Sequence, residues 1–415
     1  MTNANSGSPK LEKNVIYAFC ILTAITPILS INIPRSYAFF PGAIALITFA
    51  LLYFFAQTKP IISKKAAVLS GIILGTSILS LIWAKNPEVS QDKIIKLIPL
   101  ILPQILLISL AVSLTANQLK HLIKLIPLGY LIATALLIIE IMNHGILHNI
   151  VRGESISVIS DPDDFNRGAV ALSLYAIPTY MLLCIQLKNE KLPKTFAALI
   201  TFAPLLFAIS LSESQSSMIS LILGLLFLFG FPYAQKHAIS ALKFMIIGLT
   251  ITAPLLMPPI YDNYATSIQH IPFMANGYAG HRLEIWDYIS RYTLQHPFFG
   301  YGIEATRAIL DFDSKRVFAP DNTILHPHNY VIQTWIEFGA FGICILSALT
   351  YIVFTNIKNN YTIAQQKLLL PTLMATLFAA SVAYGLWQGA WIGLMFHVAA
   401  VTLMTTTLIK TNTAP

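Results

Sequence analysis

IIKLIPLILPQILLISLAVSLT, residues 94–115, contains a single charged side chain, Lys96. A helix rises about 1.5 Å per residue, so a run of this length covers the roughly 30 Å hydrocarbon core of a bilayer. Comparable runs recur at 14–31, 37–56, 66–84, 121–142, 169–187, 194–211, 217–233, 239–257, 331–354, 368–387 and 390–409, giving about twelve in all. The spacing predicts an all-α polytopic membrane protein, with residues 1–415 forming a single integral membrane domain. Composition agrees: 56% of the 415 residues are hydrophobic and 11% charged, against about 25% charged in soluble domains. A soluble enzyme of this size is excluded. Prolines 99, 103, 127, 178 and 204 fall inside the runs, which a helix bundle in lipid tolerates. Cys20, Cys184 and Cys344 also lie within apolar runs and read as small core residues rather than a disulfide or metal framework. The polar stretch from Met1 to Lys13 is short, and the run after it lacks a small-residue cleavage site. It therefore reads as a first span and not a removed signal peptide. No internal repeat or low-complexity segment is evident.

Lysine and arginine separate by side. With the N-terminus inside, lysines 10, 13, 59, 64, 65, 120, 124, 188, 191, 194, 236, 243, 358, 367 and 410 fall on the cytoplasmic side, and only 85, 93, 96 and 315 fall opposite. The positive-inside rule then places both termini in the cytoplasm. The net charge of +8 is mostly this topological signal, and no nucleic-acid partner is expected. All seven arginines, 35, 152, 167, 282, 291, 307 and 316, lie on the outer side. The guanidinium fork suits bidentate recognition of phosphate or carboxylate. An external anionic ligand follows, the plainer alternative being pairing with loop aspartates.

Two outer segments are long. The first, 143–168, contains Arg152, Asp161-Pro162-Asp163-Asp164 and Asn166-Arg167. The second, 258–330, is longer than a connector needs to be. Within it His281–Gln295 reads as an amphipathic helix with Ile285, Trp286, Ile289 and Tyr292 on one stripe, ended by His296-Pro297 and Gly300-Tyr301-Gly302. Such a helix is expected along the membrane surface, its aromatics among the lipid headgroups.

The second segment closes on His326-Pro327-His328-Asn329, where polar chain meets the apolar run from Tyr330. A neutral imidazole can take a proton from a hydroxyl nucleophile at ambient pH. Asn329 is placed to fix the ring or orient a substrate hydroxyl; a structural histidine at the start of a helix is the alternative. His328-Asn329, nine residues and then Gly339-x-x-Gly342 resembles the signature of the O-antigen ligase and polymerase superfamily. Its earlier half is similar to Gly280-x-Arg282-x-x-x-Trp286 and His296-Pro297-x-x-Gly300-x-Gly302, in the same order. Asn166-Arg167 resembles an arginine site of that family. After the seventh span the family often has a serine–arginine pair, whereas this chain reads Ser212-Glu213-Ser214-Gln215-Ser216. A phosphate contact from that corner has to come from hydroxyls or the Gln215 amide.

The resemblance implies a GT-C-like helical fold and a metal-independent glycosyltransferase in the bacterial inner membrane, with no cofactor and an active site facing the periplasm. The donor it implies is an undecaprenyl-diphosphate-linked glycan. The acceptor is the lipid A–core oligosaccharide in a ligase, a growing glycan in a polymerase, or a protein; chain length favours the ligase. On this resemblance His328 is the base, Arg282 acts with it, and Arg167 helps to hold the diphosphate. Arg152, Arg291, Arg307, Arg316, Asn329, His326 and Gln215 are further substrate-binding candidates, and membrane lipids surround the chain. The residues agree without it. No P-loop or dinucleotide-binding glycine pattern points to a nucleotide donor, and a lipid diphosphate would present its charge where the arginines lie. Asp161, Asp163, Asp164 and Asp311-Phe312-Asp313 offer hard oxygen ligands for a divalent ion, though such strings are ordinary loop chemistry. Glu140, Glu213 and Glu337 read as hydrogen-bonded structural groups, with Glu337 near enough to His328 to matter. A lipid-linked sugar transporter would carry ionisable residues at mid-span, and the spans here are almost free of them.

Overall fold

The computed structural model describes residues 9–58, 60–268, 270–271, 278–309 and 326–412. Lys315, Arg316 and the Asp311-Phe312-Asp313 string lie outside the described residues. Among the described residues there is helix and no strand. The elements are α1 (Pro9–Asn32), α2 (Ser36–Ala50, continued by a π-helical turn Leu51–Phe55), α3 (Lys64–Leu79), α4 (Pro87–Ser113), the short α5 (Ala116–Leu119), α6 (Leu122–Met142), the short α7 (Ile146–Arg152) and α8 (Asn166–Asn189). They continue with α9 (Lys194–Ser212), α10 (Gln215–Leu225, continued by a π-helical turn Leu226–Gly230), α11 (Ala238–Ile268), α12 (Tyr278–Thr293), α13 (Tyr330–Asn360), α14 (Ile363–Val382) and α15 (Gly389–Asn412).

Ten of these helical stretches are long and apolar enough to cross a membrane, so the chain is an all-α polytopic membrane protein. The other two expected spans are present as helices of a different character. The one over Gln215–Gly230 is short. The other, α14, opens on Gln365-Gln366-Lys367, and the two glutamines turn inward: Gln365 Nε2 donates to Thr406 O at 3.0 Å and Gln366 Nε2 to Tyr361 O at 2.9 Å. Burial divides the bundle. The most apolar window of the α8 span is 89% buried, whereas that of the α3 span is 22% buried, so α8 is the central post and α3 a peripheral helix. Residues 169–176 permit this: they are apolar but for Ser173 and the Tyr175 hydroxyl, and Ser173 Oγ donates to Val170 O at 2.7 Å, so the helix can be buried all round. Cys20 is buried, but Cys344 is exposed on α13 and not a core residue.

Helix reversal puts the connections 32–36, 142–166, 212–215, 268–330 and 382–389 at one end, and the six described arginines are at that end. The second outer segment starts later than the hydropathy suggests, because α11 runs on through Pro258-Pro259 to Ile268. That extension changes the role of α12. Its stripe does not lie on lipid: Ile285 and Ile289 are buried with Tyr301, Ile332 and Ile336, against Ala253 and Met257 of α11. Tyr261 donates to Glu284 at 2.8 Å, and Arg291 reaches Asp262 at 2.7 Å, tying α12 to α11.

The glycines of the two motifs mesh. Helix α13 breaks at Gly339 (φ 57°, ψ −152°), freeing carbonyls that Tyr301 N (2.9 Å to Ile336 O) and Gly302 N (2.8 Å to Glu337 O) take up. Ala340 N in turn donates to Pro297 O at 2.7 Å and Phe341 N to Phe298 O at 3.0 Å. A Cβ at Gly300 would lie 2.5 Å from Ile336 O. A broken helix is tolerated where neighbouring chain pairs with the freed backbone, as these four hydrogen bonds do.

Candidate active site

His328 sits at φ 52°, a left-handed conformation, one residue before α13. Asn329 is the helix cap: its Oδ1 accepts from the backbone N–H groups of Val331 (2.9 Å) and Ile332 (3.1 Å). The oxygen foreseen for fixing the ring or a substrate hydroxyl is committed to the leading amides of the helix, which otherwise lack partners. The ring is held from elsewhere. His328 Nδ1–H donates to Ala383 O at 3.4 Å, in the turn 383–388, which leaves the Nε2 lone pair as acceptor. Helix α12 supports the approach to it: Trp286 Nε1 donates to Pro327 O at 2.8 Å. Arg282 and Trp286 are four residues apart on one helical face, so the Arg-x-x-x-Trp spacing carries a guanidinium and the clamp on Pro327 together.

The rings of His326 and His328 meet edge to face with centroids 4.1 Å apart. Gln388 Nε2 donates to His326 Nε2 at 2.7 Å, which puts the His326 proton on Nδ1. Burial, the neighbouring His326 and the Arg282 charge push the His328 pKa down to about 3, and burial lowers that of His326. Both rings are therefore neutral at ambient pH. Gly385 makes room for them: a Cβ there would lie 2.8 Å from His326 Cγ and 2.9 Å from its Cδ2. Gly385→Ala is expected to displace His326 and lower the transfer proposed below by about tenfold or more, since small misplacements near reacting groups are costly. Initial rates at equal protein level check this.

These residues open on a cavity of about 820 Å³ that Arg35, Arg152, Arg167 and Arg282 line together with Asp163 and Asp164. Arg152 is braced by Glu154 (3.1 Å) and by His148 Nε2 (3.2 Å), and lies 4.0 Å from Asp164. Helix α7, which carries both His148 and Arg152, is itself capped by buried Glu140, whose Oε2 accepts from His148 N at 2.8 Å. Asp163 Oδ1 accepts from Asn166 Nδ2 at 2.8 Å at the head of α8, beside Arg167. Among the described residues no cluster of three or more His, Cys, Asp or Glu is arranged to hold a metal ion.

Four sequence candidates stand apart from the cavity lining, the first being Asn329, which caps the helix. Arg291 is taken by Asp262 and by Asp287 (2.8 Å), one helical turn back. Arg307 is taken by Glu304 at 2.6 Å, which also holds Lys93 at 2.7 Å and so pins the 303–308 loop to α4. Gln215 lies beside the lining, which its neighbour Ser216 joins. Glu337 is fully buried and acts as a hub: Oε1 accepts from Gln333 Nε2 (2.9 Å) and Glu304 N (3.1 Å), and Oε2 from Trp387 Nε1 (2.5 Å). Gln333 Oε1 accepts from Leu386 N at 2.8 Å. The hub thus fastens the turn that offers Ala383 O to His328 and Gln388 to His326.

Residues 197–347 match the family model described as O-Antigen ligase. Over that segment the chain resembles the O-antigen ligase superfamily. It contains α12, both glycine motifs and His328, and leaves out Arg35, Arg152 and Arg167. The superfamily likeness extends to curated relatives. A Rickettsia typhi protein provisionally named a polysaccharide ligase is 25% identical over 290 residues, covering 67% of this chain and 66% of its own length. A Rickettsia conorii protein of the same provisional name is 26% identical over 275 residues, 65% of this chain and 63% of its own length. The chain therefore spans just under two thirds of those relatives. No solved structure matches it.

The cavity also includes residues that the sequence did not single out as a site. Asn32, His148, His281, Tyr384 and Gln388 come from four separate connections, and Arg35, which the sequence counted only among the seven outer arginines, joins them. For His281 the signal was its adjacency to Arg282; Gln388 and Tyr384 sit in no motif.

Proposed function

We propose that this chain is a membrane glycosyltransferase of the O-antigen ligase type, joining a glycan from undecaprenyl diphosphate to the lipid A–core oligosaccharide in lipopolysaccharide biosynthesis. The observation that carries the reading is that His328, Arg282 and Arg167 line one cavity at the arginine-bearing end of the bundle. The family description and the relatives' names point the same way. On this reading the bundle sits in the inner membrane, its cavity faces the periplasm, and both termini are cytoplasmic, as the lysine distribution favours.

The chemistry is one displacement. An acceptor hydroxyl oxygen forms a bond to the anomeric carbon of the donor while the bond from that carbon to the diphosphate oxygen breaks. The hydroxyl proton passes to His328 Nε2, and the Ala383 carbonyl steadies the imidazolium through Nδ1–H. The leaving electron pair stays on the diphosphate, whose charge Arg167 and Arg282 balance, with Arg152 beside them. Displacement in one step inverts the anomeric centre. An anion at Arg282 also offsets one of the charges that hold His328 proton-poor. The base strengthens when the donor is in place.

Arg282→Lys tests the clamp. A point charge does not replace a bidentate fork, and charge-assisted hydrogen bonds of about 1.5–3 kcal/mol each imply a fall in transfer of about ten- to a hundredfold. Rates with purified lipid-linked donor and lipid A–core measure it; a lysine variant as active as the parent would discard the diphosphate clamp.

A further inference from the structure

We propose that the turn between α1 and α2 is a donor-binding element: Arg35 takes a phosphate of the lipid diphosphate, and Asn32 takes a hydroxyl of the sugar attached to it. This rests on the ligase-type reading of the cavity and extends it to residues outside the matched family segment 197–347.

Arg35 lines the same cavity as Arg167 and Arg282. It differs from Arg152, Arg291 and Arg307, each of which is bound to a carboxylate; Arg35 has no ion pair among the described residues. A guanidinium held at a polar cavity without a carboxylate is suited to an anion that comes from outside. Asn32 supplies the second, independent observation. It is 7% exposed, it lines the cavity, and its Oδ1 is buried without a hydrogen-bond partner among the described residues. Buried polar atoms are as a rule paired, and a carbonyl oxygen accepts from a hydroxyl, not from an ionised phosphate. A phosphate-binding fork and a hydroxyl-accepting oxygen three residues apart match the two halves of a glycosyl phosphate.

The fold brings this turn to the donor side. Gly168 has no side chain to hold α1 away: a Cβ there would lie 3.2 Å from Ile31 Cδ1 and 3.6 Å from its Cα. The end of α1 therefore packs on the first turn of α8, next to Arg167.

The same guanidinium could contact the phosphate of a bulk lipid headgroup, so the test separates the two sources. Full-length protein carrying His328→Ala, which cannot turn over, is placed in phosphatidylcholine nanodiscs. Binding of undecaprenyl diphosphate with and without its glycan is then measured. Arg35→Gln in that background is expected to weaken both ligands about tenfold or more, the scale of a charge-assisted hydrogen bond. Arg35→Lys recovers part of it, and in the event that the glutamine variant does not fold, the lysine variant must still bind several-fold more weakly than the parent. Asn32→Leu is expected to weaken the glycan-bearing ligand and leave bare undecaprenyl diphosphate unchanged. Unchanged binding in the Arg35 and Asn32 variants overturns this inference alone and assigns Arg35 to bulk headgroups. Failure of the His328→Ala parent to bind either ligand overturns the ligase-type reading, and this inference with it.

Discussion

Replacing His328 with alanine is expected to lower transfer by about 10²- to 10⁴-fold, the usual contribution of a positioned base, with membrane level and thermal midpoint close to the parent's. The side chain makes one long hydrogen bond, to Ala383 O, and the helix cap beside it belongs to Asn329, so its removal takes away chemistry more than structure. The pH profile carries more information. With its pKa pushed down to about 3, His328 in the free protein is neutral across the physiological range. The kcat/KM for donor, which reports the free protein, is expected to be flat from about pH 8 to pH 5, whereas a histidine at its ordinary value would halve it near about 6.5. The kcat, which reports the loaded protein, falls at higher pH than kcat/KM does, because the bound diphosphate offsets the Arg282 charge. An inflection near 6.5 in kcat/KM that His328→Ala abolishes would mean that the base keeps its ordinary value in the free protein; one that persists in the variant's residual activity belongs to another group. Stability follows the same group with a definite sign. Below about pH 6.5 the unfolded chain takes a proton that the folded chain refuses, so stability is lost as pH falls from there toward the folded value.

Gly339→Ala is expected to be as damaging to transfer and far worse for stability. The conformation at 339 lies in a region almost confined to glycine, and occupying it with alanine costs about 1–3 kcal/mol. The new Cβ would also lie 2.5 Å from Phe298 C and 2.6 Å from Phe299 N, backbone that has no room to yield. Relief of that clash separates 297–302 from 336–341 and breaks the four backbone hydrogen bonds between them. Glu337 then loses Glu304 N, and the turn that orients both histidines loses its fastening. A thermal midpoint several degrees lower in detergent, with transfer lost, is the expected result; a midpoint equal to the parent's would mean that the meshed glycines do not hold the site.

How far the sequence is legible depends on the range of the interaction. Apolar runs are local, and those from α1 to α9 were readable as spans. The two weaker ones show the limit, since nothing in Gln365-Gln366 announces that the amides find carbonyls inside the protein. Four-residue spacing is also local, so Arg282 and Trp286 were visibly on one face, but Pro327 O, the group Trp286 holds, comes from another segment. Gly300 and Gly302 read as a helix stop. Their deeper reason is the backbone of 336–337, which no pattern around 300 encodes. The arginines teach the same lesson about charge. Arg291 had an acidic partner one turn back in Asp287, legible in principle; its second partner, Asp262, was not. Arg35 stood alone among uncharged neighbours, and only the fold brought it to the cavity that Arg167 and Arg282 share.

The most direct measurement is transfer by the purified protein, given undecaprenyl-diphosphate-linked glycan together with lipid A–core, free lipid-linked glycan or a protein as acceptor, with His328→Ala in parallel. Glycan joined to lipid A–core by the parent and not by the variant is the expected result. Longer lipid-linked chains or a glycosylated protein, with lipid A–core untouched, would contradict the ligase and keep the site; no product with any acceptor would contradict both.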